Sequence, residues 1–285
     1  MSYVKSDALV STAWLAEHLH APDIRIVDGT NQLPDANLDP KEAYRKRHIP
    51  GAVFFDIGEI ADTGSPYPNM LPSPEKFASR VGALGLGDGS RIIVYDAAGL
   101  VSVARVWWMF RVFGHRDVAV LDGGLPKWIR EGRPVDDRPV EPNKRHFTPR
   151  VNNFLVRNTE QVLANIESGR EQLVDTRSAA RYAGQVPEAR PGLRAGHIPK
   201  SINLPYPDIL DPKEKTVLPP ERLRQKFAEA GIDLSRPIVT SCGSGVTAGV
   251  VALGLYLLGI ENVPVYDGSW SEWGSRDDLP IEISA

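Results

Sequence analysis

The sequence predicts an α/β protein of two tandem domains, each a mainly parallel sheet flanked by helices. Blocks of the chain recur in the same order at a period of about 145 to 149 residues, and so long a repeat indicates a duplicated domain. Within each copy, short apolar runs alternate with helical patterns, which is typical of a parallel sheet covered on both faces. The paired blocks are 24–30 with 171–177, 48–57 with 197–206, 71–86 with 218–232, 91–100 with 237–246, and 118–135 with 263–281.

The elements of the first copy follow from capping and stop signals. Ser11 is a candidate N-cap for a helix over 12–20. Ser73, followed by Pro74, begins a helix that extends to about residue 83, because proline fits the first helical turn. Gly114 ends a helix that begins near residue 101. The remaining elements are strands over 24–28, 91–95 and 117–121, an apolar run over 52–57 and a short helix near Trp128.

The second copy repeats this order. Asn158 or Thr159 is the candidate cap of its first helix. The apolar stretch 246–260 is interrupted by glycines and falls short of the ~20 residues that a membrane span needs, so a buried helix is predicted over 246–258. The other predicted elements are strands over 172–175, 237–241 and 262–266 and a helix over 220–230.

The two copies are joined by residues 133–153, which contain four prolines, mixed charges and no sustained apolar periodicity. This composition predicts an extended linker. With the boundary near residue 145, the predicted domains are 1–140, an inactive copy, and 155–285, the catalytic copy.

Composition excludes several classes of protein. Lys+Arg 33 against Asp+Glu 36 leaves a net charge of −3, which provides no general attraction to nucleic acid or to a membrane surface. One cysteine in 285 residues cannot form an intramolecular disulfide, an iron–sulfur cluster or a zinc site of several thiolates. No targeting segment is visible, and a lone thiol is compatible with a reducing compartment, so a cytoplasmic location is expected.

The single cysteine lies in a loop between a buried strand and a helix. Gly243 and Gly245 allow the backbone after Cys242 to curl tightly. A curled loop turns successive N–H groups inward, and the following helix adds its positive N-terminal end. Ser244 and Thr247 add hydroxyl donors to the same centre. A sulfur at this centre should ionise easily, because these donors stabilise a thiolate.

Free cysteines are most often small buried apolar residues, so the alternative is that Cys242 belongs to the core. The flanking Gly-x-Gly is poor packing material, however, and the first copy has Asp96 at the corresponding position. A core position would not normally hold Cys in one copy and Asp in the other. A reactive loop is therefore predicted in the second copy and an inactive one in the first.

Three cysteine chemistries compete at this loop. An amidase or protease needs a histidine base beside the thiol, and none of the six histidines is identified as that base by a motif. A cysteine-dependent phosphatase needs an arginine that closes the loop over phosphate, where this chain has Ala248. Sulfur transfer needs only an activated thiolate that carries an extra sulfur as a persulfide, together with donors that hold it. Every group that sulfur transfer needs is present in this loop.

Together these features resemble the two-domain rhodanese-like sulfurtransferases over nearly the whole chain. The active loop, which includes Val246, is similar to that of the 3-mercaptopyruvate sulfurtransferases, whereas thiosulfate-preferring rhodaneses typically carry CRKGVT with two cations. The matching features are the repeat, HIPG at 48–51, HIPK at 197–200, RVWWMFRVFGH at 105–115, LDGG at 121–124 and CGSGVT at 242–247.

The resemblance implies a reaction. Cys242 takes sulfur from 3-mercaptopyruvate, releases pyruvate and passes the sulfur to thioredoxin, a small thiol or, in an assay, cyanide. No metal or organic cofactor is implied. With Gly243 and Ser244 the loop is neutral, which should weaken binding of the thiosulfate dianion. The alternatives are a thiosulfate sulfurtransferase and a non-catalytic rhodanese-like module that carries sulfur or binds a partner.

The arginines of residues 177–194 are the candidates for substrate recognition. A single arginine is most often solvated surface. The family pattern R-x8-R-x6-H nevertheless matches Arg181, Arg190 and His197, and the resemblance implies that the two arginines hold the carboxylate and keto oxygen of the substrate. An arginine fork suits a planar carboxylate. Arg177 and Arg194 are expected to have structural roles or to contribute to the general electrostatic field.

Asp39 and His48 of the first copy correspond to a family pair for which assistance with proton handling at the loop serine is proposed. Because HIP recurs in both copies, His48 has a second interpretation, as the anchor of a turn through its ring hydrogen bonds.

Overall fold

A computed structural model describes residues 2–31 and 39–284. The first half contains one five-stranded sheet in the order β1-β5-β4-β2-β3, with every neighbouring pair parallel. Its strands are β1 (Leu9–Val10), β2 (Ile24–Asp28), β3 (Val53–Phe54), β4 (Arg91–Tyr95) and β5 (Val118–Leu121), and its helices are α1 (Thr12–Glu17), α2 (Pro40–Lys46), α3 (Ile57–Ile60), α4 (Pro74–Ala83), α5 (Val103–Val112) and α6 (Gly124–Arg130).

The second half repeats this arrangement with the order β6-β10-β9-β7-β8, again parallel throughout. The predicted fold class is therefore confirmed, and the central strands of the two sheets are β4 and β9. The strands are β6 (Val156–Arg157), β7 (Gln172–Asp175), β8 (Ile202–Asn203), β9 (Ile238–Ser241) and β10 (Val265–Tyr266), and the helices are α7 (Thr159–Ser168), α8 (Ala179–Tyr182), α9 (Pro220–Glu229), α10 (Ala248–Leu257) and α11 (Ser269–Trp273).

The predicted helix starts are produced by side-chain caps. The Ser11 and Ser73 hydroxyls accept backbone N–H groups three residues ahead, at 3.1 and 3.2 Å. Asn158, rather than Thr159, caps α7, and Gln161 returns the bond in a capping box. The strand predicted over 262–266 is shorter, because Pro264 has no N–H to donate to the ladder. The first strand of each copy, β1 and β6, has two residues and therefore no periodicity to read.

The largest buried apolar cluster extends through both halves of the molecule. It is centred on α5 and α10, and every residue of α10 is buried, as predicted. The two helices approach closely at Gly249, where a Cβ would lie 2.8 Å from the Ala104 backbone, so a larger residue there would separate them. Trp107 packs edge-on against Tyr256 across the same contact. No helix in the described part of the chain is long and apolar enough to cross a membrane.

The segment 133–152 forms no helix or strand, as expected for the predicted linker. It nevertheless packs along the surface of the first half and is hydrogen-bonded to it. Phe147 is buried with its ring 5.4 Å from that of Phe77. The Asn152 N–H donates to the Val112 carbonyl at 2.7 Å, at the end of α5. The domain limits 1–140 and 155–285 stay a prediction.

Candidate active site

The loop after β9 holds Cys242 by both of its backbone groups. The Cys242 N–H donates to the Ser269 hydroxyl at 3.2 Å, and the Cys242 carbonyl accepts the Trp270 N–H at 3.0 Å. Both partners belong to α11, so the cysteine is fixed between the central strand and a neighbouring helix. Cys242 is 2% exposed, so the residue is almost completely shielded from solvent.

The first half shows what this loop shape binds. There the Asp96 carboxylate, itself fully buried, occupies the position of Cys242. It accepts five backbone N–H groups at 2.7 to 3.0 Å, from Ala98 and Gly99 on one oxygen and from residues 101–103 on the other. The loop and the start of α5 therefore surround one anion with N–H donors.

The second copy has the corresponding loop N–H groups but no internal carboxylate. The backbone N–H groups of residues 243–248 make no hydrogen bond to an acceptor within residues 2–31 and 39–284. Gly245 has φ +71°, and an added Cβ would lie 2.6 Å from the Asp267 carbonyl, so both its conformation and its surroundings require glycine. An anion at the Cys242 sulfur is the group that these donors would satisfy.

The other loop residues are also in place. Ser244 is 6% exposed and Val246 is buried in the core. The Thr247 hydroxyl lies 3.4 Å from that of Thr176, at the carboxyl end of β7. Gly243 has open space where a Cβ would stand, and its carbonyl accepts both the N–H and the hydroxyl of Ser271, at 2.8 and 2.6 Å.

Residues of the first half hold the loop from the opposite side. Arg105 of α5 donates to the Gly245 carbonyl at 3.1 Å and forms an ion pair with Asp267 at 2.7 Å. Asp267 in turn accepts the Leu71 N–H at 2.8 Å. Asn69 donates from its amide to the Ser244 hydroxyl at 3.2 Å. The Cys242 loop is therefore completed by the domain that lacks the cysteine.

Residues of the second half likewise contact the Asp96 loop of the first half. The Val217 N–H of the second half donates to Asp122 at 2.9 Å, as the Leu71 N–H donates to Asp267. Lys215 packs on Gly99 of the Asp96 loop. Each half thus covers the loop of the other, in a nearly symmetric arrangement.

Arg177 and Arg194 form structural contacts, as the sequence predicted. Arg177 is fully buried and is bound by Asp175, Glu188 and the Gly196 carbonyl. Burial opposes its charge, but the two carboxylates outweigh it and raise the pKa of Arg177. Arg194 donates to three backbone carbonyls, those of residues 273, 274 and 279.

The two arginines of the motif are less enclosed. Arg181 lies on α8 with 27% of its side chain exposed, and only a 3.7 Å contact joins it to Glu188. Arg190 is half-buried in the segment that follows. Arg181 also lowers the pKa of Tyr206, which Cys242 raises.

Tyr206 is a residue that sequence reasoning missed. Burial raises the pKa of its phenol, Asp96 and Cys242 raise it further, and Arg181 lowers it. Its N–H donates to the Thr176 carbonyl at 3.1 Å. Tyr206 therefore lies within electrostatic reach of both loops and of Arg181. The repeat contained the signal, since Ile57 occupies the equivalent place in the paired blocks.

Ser269, which holds the Cys242 N–H, was missed for a similar reason. It is a buried non-glycine residue with φ 49°, a left-handed backbone that costs roughly 1–2 kcal/mol. The first copy has Gly124 at this place with φ 54°. The exchange of a suitable glycine for a strained serine marks a position where the hydroxyl itself is used.

Asp39 and His48 are not brought together with the loop by any contact among the described residues. The exposed Asp39 carboxylate caps α2 by accepting the Glu42 N–H at 3.1 Å. His48 is 1% exposed, stacks on Tyr44 and bonds through Nδ1 to the Tyr44 carbonyl at 2.8 Å. These contacts are those of a helix cap and a turn anchor.

Fold and site together define a class: a duplicated parallel α/β domain in which one copy keeps a cysteine inside an anion-binding loop. The rhodanese-like domain family matches residues 11–131 and again residues 158–276. The chain therefore belongs to the two-domain rhodanese-like sulfurtransferases, enzymes that take sulfur from a donor and pass it to an acceptor.

Individual relatives cover almost the whole chain. Human 3-mercaptopyruvate sulfurtransferase is 45% identical over 94% of this chain and 92% of its own length. Mouse thiosulfate sulfurtransferase is 48% identical over 97% and 95%. The crystal structure of SseA from Escherichia coli, a 3-mercaptopyruvate sulfotransferase, matches with a TM-score of 0.85 and 39% identity over 92% of this chain and 98% of that one. Overall identity does not separate the two donor classes.

Proposed function

We propose that the sulfur donor is 3-mercaptopyruvate and that Cys242 carries the sulfur as a persulfide. The observation that carries this proposal is the neutral loop at residues 242–247, whose N–H groups from residue 243 onward have no acceptor among the described residues and which contains no cationic side chain. A dianion such as thiosulfate favours cationic partners at its sulfonate. A thiol donor with one carboxylate needs cations only at its far end.

Arg181 and Arg190 are proposed as those cations. Arg177 and Arg194 are occupied by carboxylates and carbonyls inside the second domain, whereas Arg181 is partly exposed and acts electrostatically on Tyr206 beside the loop. The fork of an arginine binds a planar α-keto carboxylate with two parallel bonds.

The proposed reaction has two displacements at sulfur. The Cys242 thiolate attacks the thiol sulfur of the donor, an S–S bond forms, and the C–S bond breaks with its electron pair left on the methylene carbon. The resulting pyruvate enolate takes a proton. An acceptor thiolate then attacks the outer sulfur, and Cys242 leaves as thiolate. Ser244, Thr247 and the N–H groups of residues 243–248 stabilise the anionic sulfur in both steps.

The chain has no second cysteine, so release of the persulfide sulfur needs an acceptor from outside. Thioredoxin or a small thiol is proposed as this acceptor. Proton handling by His48 and Asp39 stays a prediction, and their contacts favour the structural interpretation. The cytoplasmic location also stays a prediction, which cell fractionation tests.

The deciding experiment compares kcat/KM for 3-mercaptopyruvate and for thiosulfate, each with cyanide as the acceptor. A higher value for 3-mercaptopyruvate supports the proposal, and a higher value for thiosulfate makes the protein a thiosulfate sulfurtransferase. Intact mass after incubation with the donor should increase by one sulfur atom, and the adduct should disappear on addition of a thiol. A Cys242→Ser variant should show neither turnover nor adduct. Absence of the adduct in the unmodified protein would instead indicate a non-catalytic module.

A further inference from the structure

Asn69 belongs to the first half of the chain, but its side chain binds the active loop of the second. Its Nδ2 lies 3.2 Å from the Ser244 hydroxyl and 3.5 Å from the Ser244 carbonyl. A carbonyl only accepts hydrogen bonds, so the nitrogen end of the amide faces Ser244 and Asn69 donates to the hydroxyl as well.

This bond determines what the serine can do. A hydroxyl has one proton and two lone pairs, and the amide of Asn69 engages a lone pair. The proton of Ser244 has no acceptor among the described residues, and the loop around it presents N–H donors. We propose that Asn69 is a positioning residue that turns the Ser244 hydroxyl proton toward the anionic sulfur on Cys242. The inference rests on the function proposed above.

The Asn69 backbone is held in one conformation by its own contacts. Its φ is 61°, a left-handed conformation that asparagine adopts more readily than other non-glycine residues. Its carbonyl accepts a bond from the buried guanidinium of Arg105, which also binds the Gly245 carbonyl and Asp267. The chain returns to Asp267 two residues later through the Leu71 N–H. The side chain thus contacts the second half directly, and the backbone is linked to it through Arg105 and Leu71.

The repeat contains a matched position without this function. Lys215 lies two residues before the N–H that reaches Asp122, as Asn69 lies two residues before the N–H that reaches Asp267. Its φ is 58°, and it packs on the inactive loop, where Ala98 replaces Ser244. The amide therefore occurs with the serine and is absent from the copy that has no hydroxyl to orient.

The test is a double-mutant cycle of Asn69→Ala and Ser244→Ala. Loss of one orienting hydrogen bond should lower kcat about threefold to tenfold in Asn69→Ala. Ser244→Ala should lower it at least as much, and the double variant should match Ser244→Ala, because the amide has nothing left to orient. Lys215→Ala, which carries the same left-handed backbone, should behave as the unmodified protein. Asn69→Gly removes the amide without backbone strain and should reproduce Asn69→Ala.

The rate of Cys242 alkylation by iodoacetamide at fixed pH is a second readout, and it needs no sulfur donor. The same pattern of effects should appear there, since the hydroxyl proton stabilises the thiolate. Multiplicative effects of the two substitutions, or an Asn69→Ala variant that matches the unmodified protein in both assays, would overturn the positioning role. Failure of the unmodified protein to transfer sulfur, with coupling retained in alkylation, would overturn the proposed function alone.

Discussion

Arg105 and Asp267 form an ion pair at 2.7 Å that joins the two halves of the molecule beneath the active loop. Their side chains are 0% and 6% exposed. The guanidinium also stacks on Trp108, 4.5 Å from the ring centroid, and donates to the Gly245 carbonyl. A charge from the first domain therefore holds the turn that gives the Cys242 loop of the second domain its shape.

Removal of the Asp267 charge should destabilise the protein strongly. Asp267→Asn leaves the buried Arg105 cation without its carboxylate, and breaking such a pair costs about 3–5 kcal/mol. The repeat provides the control, because Asp122 is the equivalent carboxylate and has no ion pair with a described residue. Asp122→Asn should not destabilise the protein at pH 7.5. Urea unfolding measures both, and equal losses would show that the ion pair contributes nothing special.

The free energy of unfolding should fall between about pH 4 and pH 6 because of Asp122. Burial raises its pKa to about 6, so the folded protein keeps a proton that the unfolded chain releases at lower pH. Where the native state binds more protons, stability decreases as pH rises, here by at most about 3 kcal/mol. Asp28, with its pKa also raised to about 6 by burial, acts in the same direction.

Asp122→Asn removes one of these titrations while it keeps an acceptor for the Val217 N–H. The stability of this variant relative to the unmodified protein should therefore increase from pH 4.5 to pH 7.5. Urea unfolding at both values checks the difference, with Asp137→Asn as the control for loss of an exposed carboxylate. A difference that stays constant with pH would contradict the assignment.

Arg190→Ala should raise the KM for 3-mercaptopyruvate about tenfold with a smaller change in kcat, because the contact forms before the transition state. Arg181→Ala should act in the same direction. Arg170→Ala provides a control that removes the same charge elsewhere. Arg170 is exposed and lines a surface groove together with Asn165 and Pro237. Initial-rate kinetics over a range of donor concentrations measure the effect, and an unchanged KM would remove Arg190 from the site.

Gly243→Arg should shift the donor preference toward thiosulfate. A Cβ at residue 243 meets no atom within 4 Å, so a side chain can begin there without a clash. The added cation should raise kcat/KM for thiosulfate about tenfold at low salt, and the gain should shrink as salt screens the charge. Gly243→Ala tests for effects of the backbone alone. No gain with thiosulfate would contradict the argument from loop charge.

The capped and glycine-terminated elements could be predicted because their causes are local. Ser11, Ser73 and Asn158 act on N–H groups three residues away, and strands 24–28, 91–95 and 172–175 occur with the predicted bounds. The two-residue edge strands could not be predicted, since they exist only through pairing with β5 and β10.

The candidate site shows the same division. Cys242 and the glycines of its loop carry a local signal, because curling the backbone over six residues needs particular residue types. Ser269 and Tyr206 carried a weaker one, visible as Gly124 and Ile57 at the paired positions. Asn69 carried none, since its bond to Ser244 joins residues 175 positions apart.

By itself, the sequence determined that this protein is a duplicated α/β chain with a cysteine in the loop of one copy, because repeats, caps and loop composition are properties of neighbouring residues. Only the tertiary structure decided how that loop is completed. Each half covers the other's loop, so the first copy supplies Asn69 and Arg105 to the Cys242 loop of the second. Such contacts depend on how two similar surfaces pack against each other, and no spacing along the chain records that packing.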